Sequence, residues 1–151
     1  MPIRQPKPVG GGKNIPAAKP FDKNQKVEIS FKLLDLTSNP KFGPHHCADN
    51  YVEKLLSRLR ALNGLTVNEF RVRKPEWRNH EINFNRTTEP QGFYYLVPDQ
   101  LRGKEAWQFG VTKSSHGRVH GLLIDNFFYV IWIDPCHQLF EDERNDCGHQ
   151  N

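Results

Sequence analysis

Apolar and polar positions alternate in two stretches of this chain and recur at helical spacing in the stretch between them. Val27, Ile29, Phe31 and Leu33 alternate with Glu28, Ser30 and Lys32, the period-two pattern of a strand with one wet face. Trp107, Phe109 and Val111 alternate with Gln108, Gly110 and Thr112, KSSHG follows as a loop, and the apolar runs 119–124 and 127–133 flank a turn-like Asp125-Asn126. The last run is continuously β-branched and aromatic, as suits a central strand. A three-strand meander over residues 107–133 is therefore the predicted core.

Val52, Leu55, Leu56, Leu59 and Leu62 recur at helical spacing, with Asn50 and Glu53 placed as a capping box and Gly64 where a helix stops. Thr66 and Glu69 form a second cap-like pair before a short helix through about residue 73, in which Val67 and Phe70 face inward. The two make an αα-hairpin. Residues 74–100 show no sustained period and read as an irregular insertion with a short strand near 81–84. The order predicts an α+β fold: a small, mainly antiparallel sheet of the N-terminal strand plus the C-terminal meander, packed against the helical hairpin. Residues 26–140 form that one domain. Residues 1–25, rich in Pro, Gly and Lys, read as a disordered basic arm, and residues 141–151 as an acidic flexible tail.

Charge changes this picture little. The net charge is +4, but residues 1–30 hold six Lys/Arg against two acids and residues 141–151 one against four. The excess sits in the arm, so charge alone does not indicate nucleic acid. The triple glycine before Lys13 lacks the spacing of a phosphate-binding loop. No apolar run approaches the length of a bilayer span, and MPIRQPKPVGGGK has no signal-peptide core, which predicts a cytoplasmic protein without membrane contact. Three cysteines, at 47, 136 and 147, are too sparse for a disulfide scaffold and are expected to be reduced. His45-His46-Cys47, Cys136-His137 and Cys147-Gly-His149 are possible ligand pairs, but no CxxC or HxxxH spacing gathers them, so neither metal nor cofactor is expected.

The run DQLRGKEAW at 99–107, the strand opening Arg118-Val-His-Gly and the ending DPCHQLF at 134–140, taken with the order of elements, resemble the RelE/YoeB-like superfamily of small toxin ribonucleases. In that pattern an acid precedes a turn, a strand opens with Arg, and the chain closes on a His-aromatic pair. The resemblance implies a metal-independent endoribonuclease toxin that cleaves mRNA, on the ribosome in some members, and is neutralised by a cognate antitoxin. It maps the terminal His onto His137 and the acid onto Asp99, with Glu105 as a rival. The aromatic partner falls three residues late, as Phe140, and Phe has no hydroxyl.

The chemistry itself asks for three roles. The RNA 2′-hydroxyl attacks its own phosphate, a base takes the hydroxyl proton, cations stabilise the phosphorane, and an acid protonates the leaving 5′-oxygen. Arg118 fits the cation, since guanidinium offers several donors and keeps its charge when partly buried. His137 and His120 fit proton transfer, and His120, two residues after Arg118 in a strand, shares its face. Arg102 and Lys104, flanking Gly103, and Lys113 by the KSSHG loop are candidates for RNA phosphates, and Trp132 for stacking on bases. Trp107 and Tyr129 read as core. The competing reading is a non-catalytic interaction module of phage or mobile-element defence or counter-defence, favoured by the long connection at 74–100.

Overall fold

The structure is a computed structural model that describes residues 21–43 and 49–140. The basic arm up to residue 20, His45, His46 and Cys47, and the acidic tail with Cys147 and His149 lie outside the described residues. Five strands form one mixed sheet in the order β1-β5-β4-β3-β2, with β1 at Glu28–Ser30, β2 at His80–Glu81, β3 at Glu105–Gly110, β4 at Arg118–Ile124 and β5 at Phe127–Asp134. β1 runs parallel to β5, and the other three pairings are antiparallel. Two helices, α1 at Tyr51–Asn63 and α2 at Val67–Arg71, lie between β1 and β2 in the chain. The fold is α+β, with the N-terminal strand joined to the C-terminal meander.

Alternation along β3 and β4 divides the core in two. Trp107, Phe109, Val119 and Leu123 face the helices and pack with Tyr51, Leu59, Leu62, Val67 and Phe70. Thr66 and Glu69 close a full capping box on α2, the Thr66 hydroxyl accepting from Glu69 N at 3.1 Å and the Glu69 carboxylate from Thr66 N at 3.0 Å. The box expected at Asn50 does not form. Asn50 makes no side-chain cap bond to α1, and its Oδ1 instead meets His116 Nε2 at 2.9 Å, tying the helix start to the loop before β4. The buried face of α1 also runs through Tyr51, Leu59 and Leu62, which leaves Val52 and Leu56 exposed.

The opposite face of the sheet is covered as well, by the irregular residues 82–104 and by 31–43. Phe42, Phe84, Phe93, Val97 and Leu139 pack there against Ala106, Leu122, Ile131 and Trp132. A bulge between His120 and Gly121, paired to Trp132 and Val130, places Ile131 and Trp132 in this same cluster. The insertion is thus the second layer of core, not an appendage. Asp35 N donates to Ile131 O at 2.9 Å and Gly43 N to Ile133 O at 2.8 Å, so residues 31–43 extend the sheet contact beyond the short β1.

The expectation of reduced thiols fails at Cys136, which is wholly buried and disulfide-bonded. Counting cysteines along a sequence measures their density, not their meeting in space. No helix among the described residues is long and apolar enough to cross a membrane.

Candidate functional site

A polar cleft of about 400 Å³ opens where the 71–79 turn crosses the β2 edge of the sheet, lined chiefly by Arg73, Lys74, Arg78, His80, Gln108 and Arg118. The turn is built from within. Asn79 is buried, accepts from Lys74 N at 3.1 Å and donates to Phe70 O and to Val72 O, which fixes the loop on both sides of its cations. Trp77 N and Arg78 N both donate to Lys74 O at 3.0 Å, and Arg78 adopts a left-handed φ of 51°. Its Nε donates to Lys113 O at 3.2 Å, so Lys113 stands by its backbone against the cleft wall. Arg58 lies over the Trp77 ring at 4.2 Å and donates to Val111 O and Glu76 O, which braces the turn from the helix side.

Gly110 is the close approach that seats this turn on the sheet. Its N donates to Trp77 O at 2.6 Å, and a Cβ there would lie 2.9 Å from Thr112 O and 3.4 Å from the Arg78 Cβ. Gly110→Ala is therefore expected to lower stability by about 1–3 kcal/mol and to displace the cleft wall, read out by urea denaturation; an unchanged midpoint would contradict this packing. Gly117, with φ 73°, makes the second close approach. A Cβ on it would fall 1.9 Å from Asp134 O, so only glycine lets the start of β4 lie against the end of β5.

Register sets the floor. His80 pairs with Gln108, Gln108 with His120, and His120 with Trp132, which places their side chains on one face in one cross-strand row. Arg118, two residues before His120, joins that face and is buried, one guanidinium nitrogen donating to Gly117 O at 3.0 Å. His80 lies at the row's exposed end. Its Nδ1 is 2.7 Å from Glu81 O, and because a carbonyl only accepts, Nδ1 is the donor of that bond.

The cleft's electrostatics are one-sided. Among the described residues, four cations and one imidazole line it, no carboxylate does, and no ion pair engages Arg73, Lys74 or Arg78. Guanidinium and ammonium groups in such an arrangement can hold an oxyanion by charge and by the guanidinium fork. No group of three His, Cys, Asp or Glu side chains that could hold a metal occurs among the described residues.

Of the residues singled out from sequence, Arg118 lies in the cleft and Lys113 beside it. His120 shares Arg118's face but is sealed at 0 % exposure, its Nε2 3.1 Å from Asp134 Oδ2, so it cannot reach a substrate. His137 occupies the turn after β5 with a left-handed φ of 57°, its N donating to Asp134 O at 3.2 Å; it is buried and does not line the cleft. Asp99 is exposed in a short 3-10 turn and pairs with Arg102 at 3.1 Å, while Lys104 offers its carbonyl to the Tyr94 hydroxyl at 3.2 Å; none of the three lines the cleft. Glu105, the rival acid, is engaged by Arg71 at 2.8 Å and by Trp107 Nε1 at 3.1 Å. Burial works to raise its pKa, but these bonds hold it below the ordinary carboxylate value. Trp132 is corrected to core: it is fully buried, stacked on Phe42 at 4.5 Å, and its Nε1 donates to Asp35 at 3.0 Å, which leaves no ring face for a base.

Arg73, Lys74, Arg78, His80 and Gln108 were missed. The signal was present as a cluster of basic residues and a His within 71–80, in a segment whose lack of period made it read as filler. Compared with family models, curated proteins and solved structures, the chain matches none.

Proposed function

We propose that this chain is a metal-independent endoribonuclease, acting as the toxin of a toxin–antitoxin pair, whose substrate lies across the cleft between the 71–79 turn and β2–β4. The observation that supports this is that, among the described residues, four cations and an imidazole line the cleft and no carboxylate does. Arg118, with Arg73, Lys74 and Arg78, would neutralise the scissile phosphate and its neighbours, and stabilise the charge that grows on the phosphorane. His80 Nε2 would take the proton of the attacking 2′-hydroxyl. Oxygen–phosphorus bonding at the 2′ position then expels the 5′-oxygen, which is protonated by water or the Lys74 ammonium. The products are a 2′,3′-cyclic phosphate and a 5′-hydroxyl, with no cofactor consumed.

The reading keeps the reaction expected from the RelE/YoeB-like resemblance and moves proton transfer from His137 and His120 to His80. It places the protein with mRNA in the cytoplasm, where a disulfide at Cys136 is uncommon; a thiol count on protein taken from cytoplasmic extract tests that placement. The test of function is incubation of purified protein with RNA in the presence of a chelator, with mapping of the new ends. His80→Ala is expected to slow cleavage by about 10²–10⁴-fold and to bind RNA within a few fold of the wild type. Undiminished cleavage by the variant, or none by the wild type, sinks the proposal. The exposed pair Val52 and Leu56, one turn apart on α1, favours a second reading as a non-catalytic module that docks a protein. Growth arrest on expression with intact RNA would select it.

A further inference from the structure

We infer that this chain's own acidic C-terminal tail, residues 141–151, lies across the basic cleft and competes there with any polyanion. Such a ligand meets the same competitor whether or not it is RNA. Among the described residues, Arg73, Lys74, Arg78 and Arg118 line the cleft, no carboxylate does, and no ion pair engages Arg73, Lys74 or Arg78. Arg73 and Arg78 are exposed and Lys74 is half-buried, so all three can be reached from outside. Like charges gathered on one wall repel, and an anion set among them is favoured.

The root of the tail stands at the rim of this cleft. The half-buried Phe140 ring lies 5.8 Å from the ring of His80, edge to face, and His80 lines the cleft. The approach to Phe140 is fixed by the fold. Gln138 N and Leu139 N donate to the Asp134 carboxylate, Thr88 N donates to Leu139 O at 2.7 Å, and the Thr88 hydroxyl donates to Gln138 O at 2.9 Å. Glu141, Asp142 and Glu143 follow Phe140 directly, and Asp146 comes three residues later. Three extended residues reach about 10 Å, which brings the first carboxylates within range of the cations on the turn that ends at His80.

Charge and tether favour this occupant. The tail has four acids against Arg144 alone, a net −3 to set against the four cleft cations. Several cations outside the cleft already have carboxylates of their own: Lys41 pairs with Glu89, Arg71 with Glu105 at 2.8 Å, and Arg102 with Asp99 at 3.1 Å. Each exposed ion pair contributes little alone. A short tether, however, supplies an effective concentration on the order of millimolar, so a contact too weak to hold a free peptide holds the attached tail. A ligand must then displace the tail to enter, and the tail sets how tightly it has to bind.

The test compares the full chain with a variant in which Glu141→Gln, Asp142→Asn, Glu143→Gln and Asp146→Asn remove the tail's carboxylates. One readout is the NMR signal of the Arg78 Nε–H, which donates to Lys113 O. The other is affinity for a 2′-fluoro oligouridylate, a polyanion that 2′-hydroxyl attack cannot cleave. Neutralising the tail should shift the Arg78 signal and tighten the oligomer about tenfold at low salt. With Arg73→Gln and Lys74→Gln also in place, that gain should fall to within about twofold, because a tail in contact loses its partners while a distant field of the same charges acts as before. An Arg78 signal identical in the two proteins overturns the inference, as does measurable binding that neutralisation leaves unchanged, or a gain that the Arg73 and Lys74 replacements do not diminish. A shift or gain that fades on dilution assigns the tail to a second copy and overturns the intramolecular contact. If neither protein binds the oligomer, the Arg78 signal decides the tail, and RNA as the ligand of the cleft falls by itself.

Discussion

On the ribonuclease reading proposed above, Arg118→Ala is expected to lower RNA cleavage by about 10²–10³-fold, the usual effect of removing one preorganised donor from a developing oxyanion. Arg118 is the cleft cation most constrained by the fold: it opens β4, it is buried, and it follows the glycine that holds this strand end against Asp134. Arg73 and Arg78 are exposed and Lys74 half-buried on a turn, whereas Arg118 is buried in a strand. Arg118→Lys keeps the charge but loses the planar fork, and should recover only part of the loss. Affinity carries a second signature. Single-stranded nucleic acid gives a slope of about −0.7 in log affinity against log salt for each phosphate neutralised. Four cations predict a slope of about −3, and Arg118→Ala should flatten it by about 0.7. Cleavage at the wild-type rate by a folded Arg118→Ala protein would remove Arg118 from the chemistry. An unaltered slope would remove it from the phosphate contacts.

The parts of the fold that could be read from sequence are those where one burial pattern dominates. Trp107, Phe109 and Val111 alternate because one side of β3 meets the helices, and Val67 and Phe70 follow a cap that forms as its spacing suggests. The second core layer was hidden because residues 82–104 use short 3-10 turns, whose side chains follow neither period. Phe84, Phe93 and Val97 are recruited one at a time against the back of the sheet.

Face sharing was legible and access was not. Arg118 and His120 do share a face, as spacing two in a strand requires. Arg118 lines the cleft, and His120 is enclosed by Phe42, Trp132 and Asp134. Strand periodicity carries no information about which loop covers which end of a strand. The same gap explains His80. Its partner Gln108 is 28 positions away, and only the two-residue β2 brings them together.

Asp134→Ala should cost about 3–5 kcal/mol, since removing one member of a buried pair leaves the others without partners. Asp134 is at 0 % exposure; its Oδ2 meets His120 Nε2 at 3.1 Å and Leu139 N at 3.0 Å, and its Oδ1 accepts from Gln138 N at 2.8 Å. One carboxylate therefore joins β4 to β5 and holds the turn that carries Cys136 and His137. Burial works to raise its pKa, but the hydrogen bond and charge of His120, with the two backbone N–H groups, hold it below the ordinary value of 3.8. A folded-state pKa below the unfolded one means that the fold favours the ionised form. That stability is complete above the unfolded value and is lost as pH falls through the folded one. Below about pH 4, the wild type should thus lose stability more steeply than Asp134→Ala, and the gap between their denaturation midpoints should narrow with acid. Because Asp35, Glu89 and Glu105 also hold lowered values, the difference between the two proteins, not the wild-type curve alone, isolates Asp134. A gap that stays constant from pH 6 to pH 3 would show that its carboxylate contributes no charge-dependent stability.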